Sequence, residues 1–184
     1  MKPISSFLWM AAAFAAVLSG AEPASSSVSK VLDQQVSMIE GQIVPLAEAM
    51  PADKFSFVPT GEEFSKSRTF GQQASHVAAV LNAVSASLLG EKPAADMGES
   101  ENGPASLKTK EDIVKYLKDA FAYTHKAMAG ITAQNLTEMI PSPFGKNKVT
   151  RLSIATAPVW HSFDHYGQMV IYARMNGIVP PASR

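Results

Sequence analysis

Apolar residues recur at intervals of three, four and seven in four stretches of the chain, the spacing that places them on one face of an α-helix. The four stretches predict helices over residues 28–50, 69–90, 109–130 and 150–176. The second stretch is the clearest, and its apolar positions are Phe70, Ala74, Val77, Leu81, Val84 and Leu88. No convincing strand pattern interrupts these stretches, so the chain is predicted to form an all-α four-helix bundle.

The ends of the predicted helices carry recognisable signals. Thr69 and Gln72 are three residues apart, which is the capping-box pattern that starts a helix. Gly90 follows the same helix, at the place where a glycine commonly ends one. Segments 91–108 and 131–149 lack periodicity and are rich in turn-forming residues, so both are predicted to be mostly loop.

The fourth predicted helix is apolar on two opposite sides. Trp160, Phe163 and Val170 lie on one side, and Ile154, Met169 and Tyr172 lie on the other. A helix with this pattern is typical of a largely buried position. Pro158 lies inside it and predicts either a kink or the start of its straight portion.

Residues 1–21 predict a secretory signal peptide. Lys2 precedes an apolar stretch of twelve residues, Phe7 to Leu18, and the small residues Ser19, Gly20 and Ala21 then supply a cleavage site. Twelve residues are too few to cross a bilayer, which takes about 20. Residues 22–27 are expected to be a linker and 28–184 the helical domain. We therefore expect an exported protein, periplasmic or secreted, with no membrane span after processing; the alternative is an uncleaved N-terminal anchor.

Composition narrows the classes of function. The chain has 16 basic and 16 acidic residues, and removal of the signal peptide takes away one Lys and leaves a net charge of −1. This balance argues against a nucleic-acid partner, which requires a basic surface. The chain has no Cys, which excludes disulfides, cysteine-ligated metal and thiol nucleophiles. A transition-metal site would therefore have to use His and carboxylate ligands.

The four histidines carry the strongest chemical signal. His161 and His165 are four residues apart on the fourth predicted helix, so their side chains project from neighbouring turns and can reach one metal ion. His76 lies at the flank of the apolar face of the second helix, where side chains point toward a neighbouring helix. Metal sites in helix bundles are built from facing helices in this way. The alternative for each is a histidine that only packs beside the core.

His125 has no spacing that links it to the other three. It shares a face of the third predicted helix with Phe121 and Met128. A fourth metal ligand and an acid–base group in a pocket are both open to it. We expect instead a core histidine that bonds a backbone carbonyl.

Several segments resemble one known family. They are the runs 161–168 (HSFDHYGQ), 172–177 (YARMNG) and 179–181 (VPP), together with 49–55 (AMPADKF), 59–60 (PT), 68–72 (RTFGQ) and 75–78 (SHVA). In this order they resemble the DinB/YfiT-like family. The resemblance implies an antiparallel four-helix bundle in which His76, His161 and His165 bind a divalent metal. It assigns no role to His125.

The resemblance also implies a range of activities. Members with assigned activities include metal-dependent thiol S-transferases and isomerases, and many others are classed as hydrolases. Imidazole ligands suit Zn, Ni, Cu and Fe, so the ligands alone do not choose the metal. Three neutral imidazoles leave a coordination position open, where a bound water reaches a pKa of about 7. Because thiol cofactors are mainly cytoplasmic, an exported protein is expected to be a hydrolase that acts on a small molecule.

Other interpretations stay open at this stage. One is a thiol S-transferase, another is a non-catalytic metal-binding or sensing bundle, and a third is a bundle whose histidines bind nothing. Each ligating imidazole needs a partner for its other nitrogen, and Asp164 and Gln168 are the neighbours in sequence that could supply one. Asp164 points away from His165, so a solvent-facing salt bridge is its expected role. A homodimer is also expected, although no motif shows one.

Overall fold

The computed structural model of the chain describes residues 27–184. It contains four helices, α1 (Val28–Ala49), α2 (Phe70–Leu89), α3 (Lys110–Ala129) and α4 (Arg151–Met175), and two short strands, β1 (Met139–Pro141) and β2 (Lys148–Thr150). The predicted signal peptide and all but the last residue of the predicted linker lie outside the described residues. None of the described helices is long and apolar enough to cross a membrane.

Helix α2 begins at the capping box that the sequence predicts, and α3 begins at a second one. The Thr69 side chain accepts a hydrogen bond from the Gln72 backbone N–H, and the Gln72 side chain accepts one from the Thr69 N–H. Thr109 and Asp112 form the same reciprocal pair at the start of α3. These bonds satisfy N–H groups that have no partner inside the helix. Gly90 ends α2 with a φ of 69°, a left-handed conformation that glycine adopts without strain.

The apolar faces meet in one core. Every predicted apolar position of α2 is buried, and the core also contains the large side chains Ile39, Ile43, Leu46, Leu117, Phe121 and Met169. Helix α2 is the most enclosed of the four, with 17 of its 20 residues buried, because β1 and the turn at Glu99–Glu101 pack against it in addition to α3 and α4. Its burial places His76 in the interior.

The helix directions differ from the fully antiparallel bundle that the resemblance implies. Helices α2 and α4 run antiparallel, as do α1 and α3. Helices α2 and α3 run parallel, because the start of α2 at Gly71 contacts Ile113 at the start of α3, and Ser85 bonds Thr124 near their ends. A parallel pair needs a connection that runs back along the bundle. A helix of 20 residues is about 30 Å long, which explains why segment 90–109 is so long.

The prediction for segment 131–149 is confirmed in the main, and the prediction for α4 is wrong. Segment 131–149 is mostly loop, but β1 and β2 also form an antiparallel hairpin there, in which Ile140 pairs with Val149. Strands of three residues are too short to show an alternating pattern. Helix α4 is not largely buried, because Trp160 is 58% exposed. Only one of its two apolar sides faces the core. Pro158 lies inside the single helix α4.

Candidate metal centre

Three of the four histidines come together where α2 and α4 cross. His161 and His165 project from adjacent turns of α4, and their ring centroids are 4.6 Å apart. The His76 ring on α2 lies 5.1 Å from the His161 ring and 4.8 Å from the His165 ring. One nitrogen from each ring lies within 4.8 Å of the other two. The antiparallel packing of α2 on α4 therefore brings together the three histidines that are predicted to bind metal.

Hydrogen bonds to the outer ring nitrogens define the tautomers of two of these histidines. His76 Nδ1 donates to the backbone carbonyl of Glu101 at 2.8 Å. His165 Nδ1 donates to Gln73 Oε1 at 2.5 Å, and Gln73 Nε2 donates in turn to Gln168 Oε1 at 2.9 Å. Because both Nδ1 atoms carry the proton, each Nε2 keeps a lone pair for a metal ion.

The third histidine has an orphaned nitrogen. His161 Nε2 is buried, and within residues 27–184 it has no hydrogen-bond partner. An unsatisfied buried polar atom costs about 1–3 kcal/mol, so its presence in a native structure calls for a partner. A divalent ion between the three imidazoles would supply one. The residues present therefore fit a three-histidine metal site.

The three imidazoles are held in their neutral form. Burial lowers the pKa of His161 to about 4, with a further contribution from the neighbouring His76. Burial, followed by the neighbouring His161 and His76, lowers the pKa of His165 to about 3. The pKa of His76 is lowered by burial too, although its bond to Glu101 acts in the opposite direction. At neutral pH the lone pairs are free of protons, as metal coordination requires.

The loop that contacts His76 has a strained backbone. Ser100 and Glu101 both have positive φ angles, 56° and 57°, which are uncommon for residues other than glycine. Arg68 stabilises this conformation, since its Nε donates to Asn102 Oδ1 at 2.8 Å and its Nη2 donates to the Ser100 carbonyl at 3.2 Å. The Glu101 carboxylate also lies 4.0 Å from His76 Nδ1. Arg68 thus holds the segment that orients a candidate ligand.

His125 lies at a different place in the fold. Its Nδ1 contacts Asp33 Oδ1 at 2.5 Å and its Nε2 contacts Glu40 Oε2 at 2.9 Å, and both carboxylates belong to α1. The expectation of a core histidine bonded to a carbonyl is therefore wrong, because His125 is partly exposed and joins α3 to α1 through two acidic side chains. It is not part of the three-histidine group.

The structure changes the set of residues that support the histidines. Gln168 acts through Gln73 rather than directly, and exposed Asp164 accepts a hydrogen bond from Gln168 at 3.3 Å. Within the described residues Asp164 forms no salt bridge, contrary to expectation. Sequence reasoning missed Gln73, Glu101 and Arg68. Gln73 precedes His76 by one helical turn, which is the one local signal available, whereas Glu101 lies 25 residues away in an aperiodic loop.

The sequence matches a known protein family, and the fold matches solved structures. The family model of the DinB superfamily matches residues 38–169. A DinB-like protein from Bacillus cereus ATCC 10987 superimposes with a TM-score of 0.65 at 16% sequence identity, covering 82% of this chain and 93% of that chain. A DinB-like protein from Bacillus subtilis, YjoA, gives a TM-score of 0.57 at 19% identity, covering 78% and 92%.

A further solved structure is similar in fold. YfiT from Bacillus subtilis, described as a probable metal-dependent hydrolase with an unusual four-helix bundle topology, gives a TM-score of 0.57 at 18% identity. The match covers 85% of this chain and 93% of that chain. No curated protein matches the sequence. At these identities the solved structures support the fold alone.

Proposed function

This chain belongs to the DinB superfamily, and from that premise we propose that it is an exported metal-dependent hydrolase whose centre is formed by His76, His161 and His165. One observation carries the proposal. The three imidazoles converge from two helices with one nitrogen of each within 4.8 Å of the others, and His161 Nε2 is buried with no hydrogen-bond partner among residues 27–184. A divalent transition metal such as Zn, Ni or Fe would fit this donor set.

The residues around the histidines support a centre with an open position. Within residues 27–184, no fourth His or carboxylate side chain belongs to the group. A site closed by four protein ligands is typical of a structural metal, whereas three ligands leave room for a substrate. The bound ion would supply a Lewis acid that polarises a substrate carbonyl and makes water nucleophilic near neutral pH.

The chain's own residues orient the ligands. Glu101 and Gln73 hold the Nδ1 protons of His76 and His165, so both rings keep one orientation. The Trp160 ring lies edge-on to His161, with centroids 5.8 Å apart. Hydrolysis is proposed over thiol transfer because thiol cofactors are mainly cytoplasmic, whereas the signal peptide predicted for residues 1–21 would direct the protein to export.

The metal content of purified protein tests the site. Wild-type protein is expected to retain about one divalent ion per chain, measured by elemental analysis. His161→Ala and His165→Ala each remove a ligand and are expected to lose most of the ion. His125→Ala is the matched control, because it removes a histidine outside the group, and it should retain the ion.

Activity then separates the classes of function. The metal-loaded wild-type protein should hydrolyse members of an ester and amide panel, while His165→Ala should not. Full metal occupancy in His165→Ala would overturn the site. A loaded protein that acts on none of the panel but transfers a thiol would replace hydrolysis with S-transfer.

A further inference from the structure

The β1–β2 hairpin and the start of α4 expose apolar side chains at one end of the bundle. Met139 on β1 is 52% exposed, Phe144 in the hairpin turn is 50% exposed, and Leu152 in the first turn of α4 is 39% exposed. The strand register explains the position of Met139. Ile140 and Val149 are opposite each other and pack toward the core, so the side chain of Met139 points to the outer face of the hairpin.

The same part of the chain is basic. Residues 139–163 contain Lys146, Lys148 and Arg151 but no acidic residue. Arg151 is paired with Glu138 at 2.7 Å, which neutralises the acidic residue just before this segment. Lys146 and Lys148 are exposed, and neither takes part in a salt bridge within residues 27–184. Two positive charges without a carboxylate partner therefore border the exposed apolar side chains.

The chain also enters the described fold at this end of the bundle. Helices α1 and α4 both run antiparallel to α3, so the first residues of α1 and α4 lie at the same end. The bond between Asp33, near the start of α1, and His125, near the end of α3, agrees with this arrangement. A chain held at a membrane through the predicted signal peptide, residues 1–21, would therefore present its hairpin end to the lipid.

We propose that the hairpin turn, together with the start of α4, is a peripheral binding surface for anionic phospholipid membranes. Phe144 and Met139 enter the boundary between headgroups and acyl chains, and Lys146 and Lys148 bind the lipid phosphates beside them. A lipid surface is favoured over an acidic protein partner, because the headgroup boundary offers phosphate groups and hydrocarbon next to each other.

The binding is reversible, because two lysines and a few apolar side chains form a much weaker anchor than a spanning helix. The attraction of lysine to anionic headgroups falls off within a Debye length, so binding weakens as the salt concentration rises. None of the residues of this surface belongs to the three-histidine group. The proposal therefore holds whether or not the three histidines bind metal.

Co-sedimentation with vesicles tests the proposal. Protein comprising residues 22–184 retains all four helices and their core, and it is mixed with phosphatidylglycerol vesicles or with neutral phosphatidylcholine vesicles. Binding to the neutral vesicles should be weaker by about tenfold or more. Raising the ionic strength from about 0.01 M to about 1 M shortens the Debye length about tenfold, and should release most of the protein from the anionic vesicles.

A double variant tests the role of the charges. Lys146→Gln with Lys148→Gln should weaken binding to phosphatidylglycerol vesicles about 30-fold, the loss expected for two lysines close to the surface. Lys66→Gln with Lys108→Gln is the matched control. It removes two exposed charges from the opposite end of the bundle, where α2 and α3 begin, and should bind like the wild-type protein.

A second pair of variants tests the apolar contact. Phe144→Ser should lose most of the binding to phosphatidylglycerol vesicles, because it removes the side chain that enters the bilayer. Phe64→Ser is the matched control, since Phe64 is also exposed but lies in the turn before α2. Circular dichroism confirms that each variant is folded.

Three results would overturn the proposal. Equal binding of the wild-type protein to anionic and neutral vesicles would remove the role of charge. Equal binding by the hairpin variants and their controls would place the surface elsewhere. Binding to immobilised polyglutamate, but to neither type of vesicle, would replace the lipid with an acidic protein partner.

Discussion

At the scale of single residues, the candidate metal centre depends on residues that orient the histidines without being ligands themselves. Glu101 and Gln73 each accept the Nδ1 proton of a candidate ligand. Arg68 touches no histidine by hydrogen bond, but it holds the backbone of segment 100–102. Its positive charge also lowers the pKa of His161 and of His165, although burial and the neighbouring histidines contribute more. Arg68 therefore has two opposite effects on metal affinity. By holding the segment that orients His76 it favours binding, and by its positive charge it opposes the binding of a cation.

Substitution of Arg68 separates these two effects. Its charge opposes a bound cation, so Arg68→Gln would raise metal affinity if charge dominated. If positioning of Glu101 dominates, as the strained loop indicates, Arg68→Gln and Arg68→Lys should both lower Zn affinity about 10- to 100-fold. Lysine keeps the charge but cannot make the paired guanidinium bonds. Competition with a chromogenic chelator measures the affinity.

Lys146→Gln is the control for that experiment, because it removes an exposed positive charge from the hairpin turn, remote from the histidines. It should leave Zn affinity unchanged. A higher affinity in Arg68→Gln would contradict the positioning role and leave only the electrostatic one.

At the scale of elements, two polar connections join helices that are distant in sequence. Ser85 Oγ donates to Thr124 Oγ1 at 3.0 Å and joins the parallel pair α2 and α3. His125 joins α3 to α1 through Asp33 and Glu40. Burial acts to lower the pKa of His125, but its bonds to the two carboxylates outweigh burial and raise it. The imidazolium is thus more stable in the folded protein than in the unfolded chain.

This pKa shift makes one contribution to stability depend on pH. A group whose pKa is raised by folding stabilises the fold fully below its unfolded pKa of about 6.5, and that stabilisation is lost as pH rises through the folded value. His125→Gln should therefore cost about 1 kcal/mol at pH 6 and less at pH 9. The cost is small because all three side chains are partly exposed, so solvent screens their interaction.

Urea unfolding of wild type and His125→Gln at both pH values measures this difference. Thr156→Val is the control, because Thr156 is an exposed residue of α4. Its effect on the free energy of unfolding should be the same at pH 6 and pH 9. An equal cost of His125→Gln at pH 6 and pH 9 would contradict the charged pair.

At the scale of the whole molecule, the candidate centre joins α2 to α4. The same two helices are also joined by apolar packing, by the bonds of Gln73 to His165 and Gln168, and by Arg151 Nη1, which donates to the Leu88 carbonyl at 2.6 Å. A ligand that binds only the folded state stabilises it by mass action. An ion held between the two helices should therefore stabilise the entire bundle.

Removal of metal should lower the melting temperature. At a free metal concentration of 100 times Kd, the stabilisation is about 2.7 kcal/mol, which corresponds to roughly 5–10 °C for a domain of this size. Differential scanning calorimetry with added Zn and then with excess chelator measures it. His125→Ala should show the same shift, whereas His165→Ala should show none. A wild-type melting temperature that changes neither with added Zn nor with chelator would contradict metal binding.

The sequence by itself determined the helices, their caps and the residues that could ligate metal. Helix periodicity and capping are local, because each depends on residues within about one or two turns. The pairs Thr69–Gln72 and His161–His165 are therefore readable directly, and His76 is identified by its position on a helix flank. The resemblance to the family then joined the three histidines into one predicted site.

Only the tertiary structure decided how these parts meet. The parallel packing of α2 on α3 requires the long connection that brings Glu101 to His76, and no local pattern encodes a contact across 25 residues. Likewise, no local pattern encodes the hydrogen bond between Gln73 and His165 or the separation of His125 from the three-histidine site. The outer face of α4 is the clearest case. Its sequence shows that both sides are apolar, but only the packing of four helices shows which side the core covers and which side is left exposed.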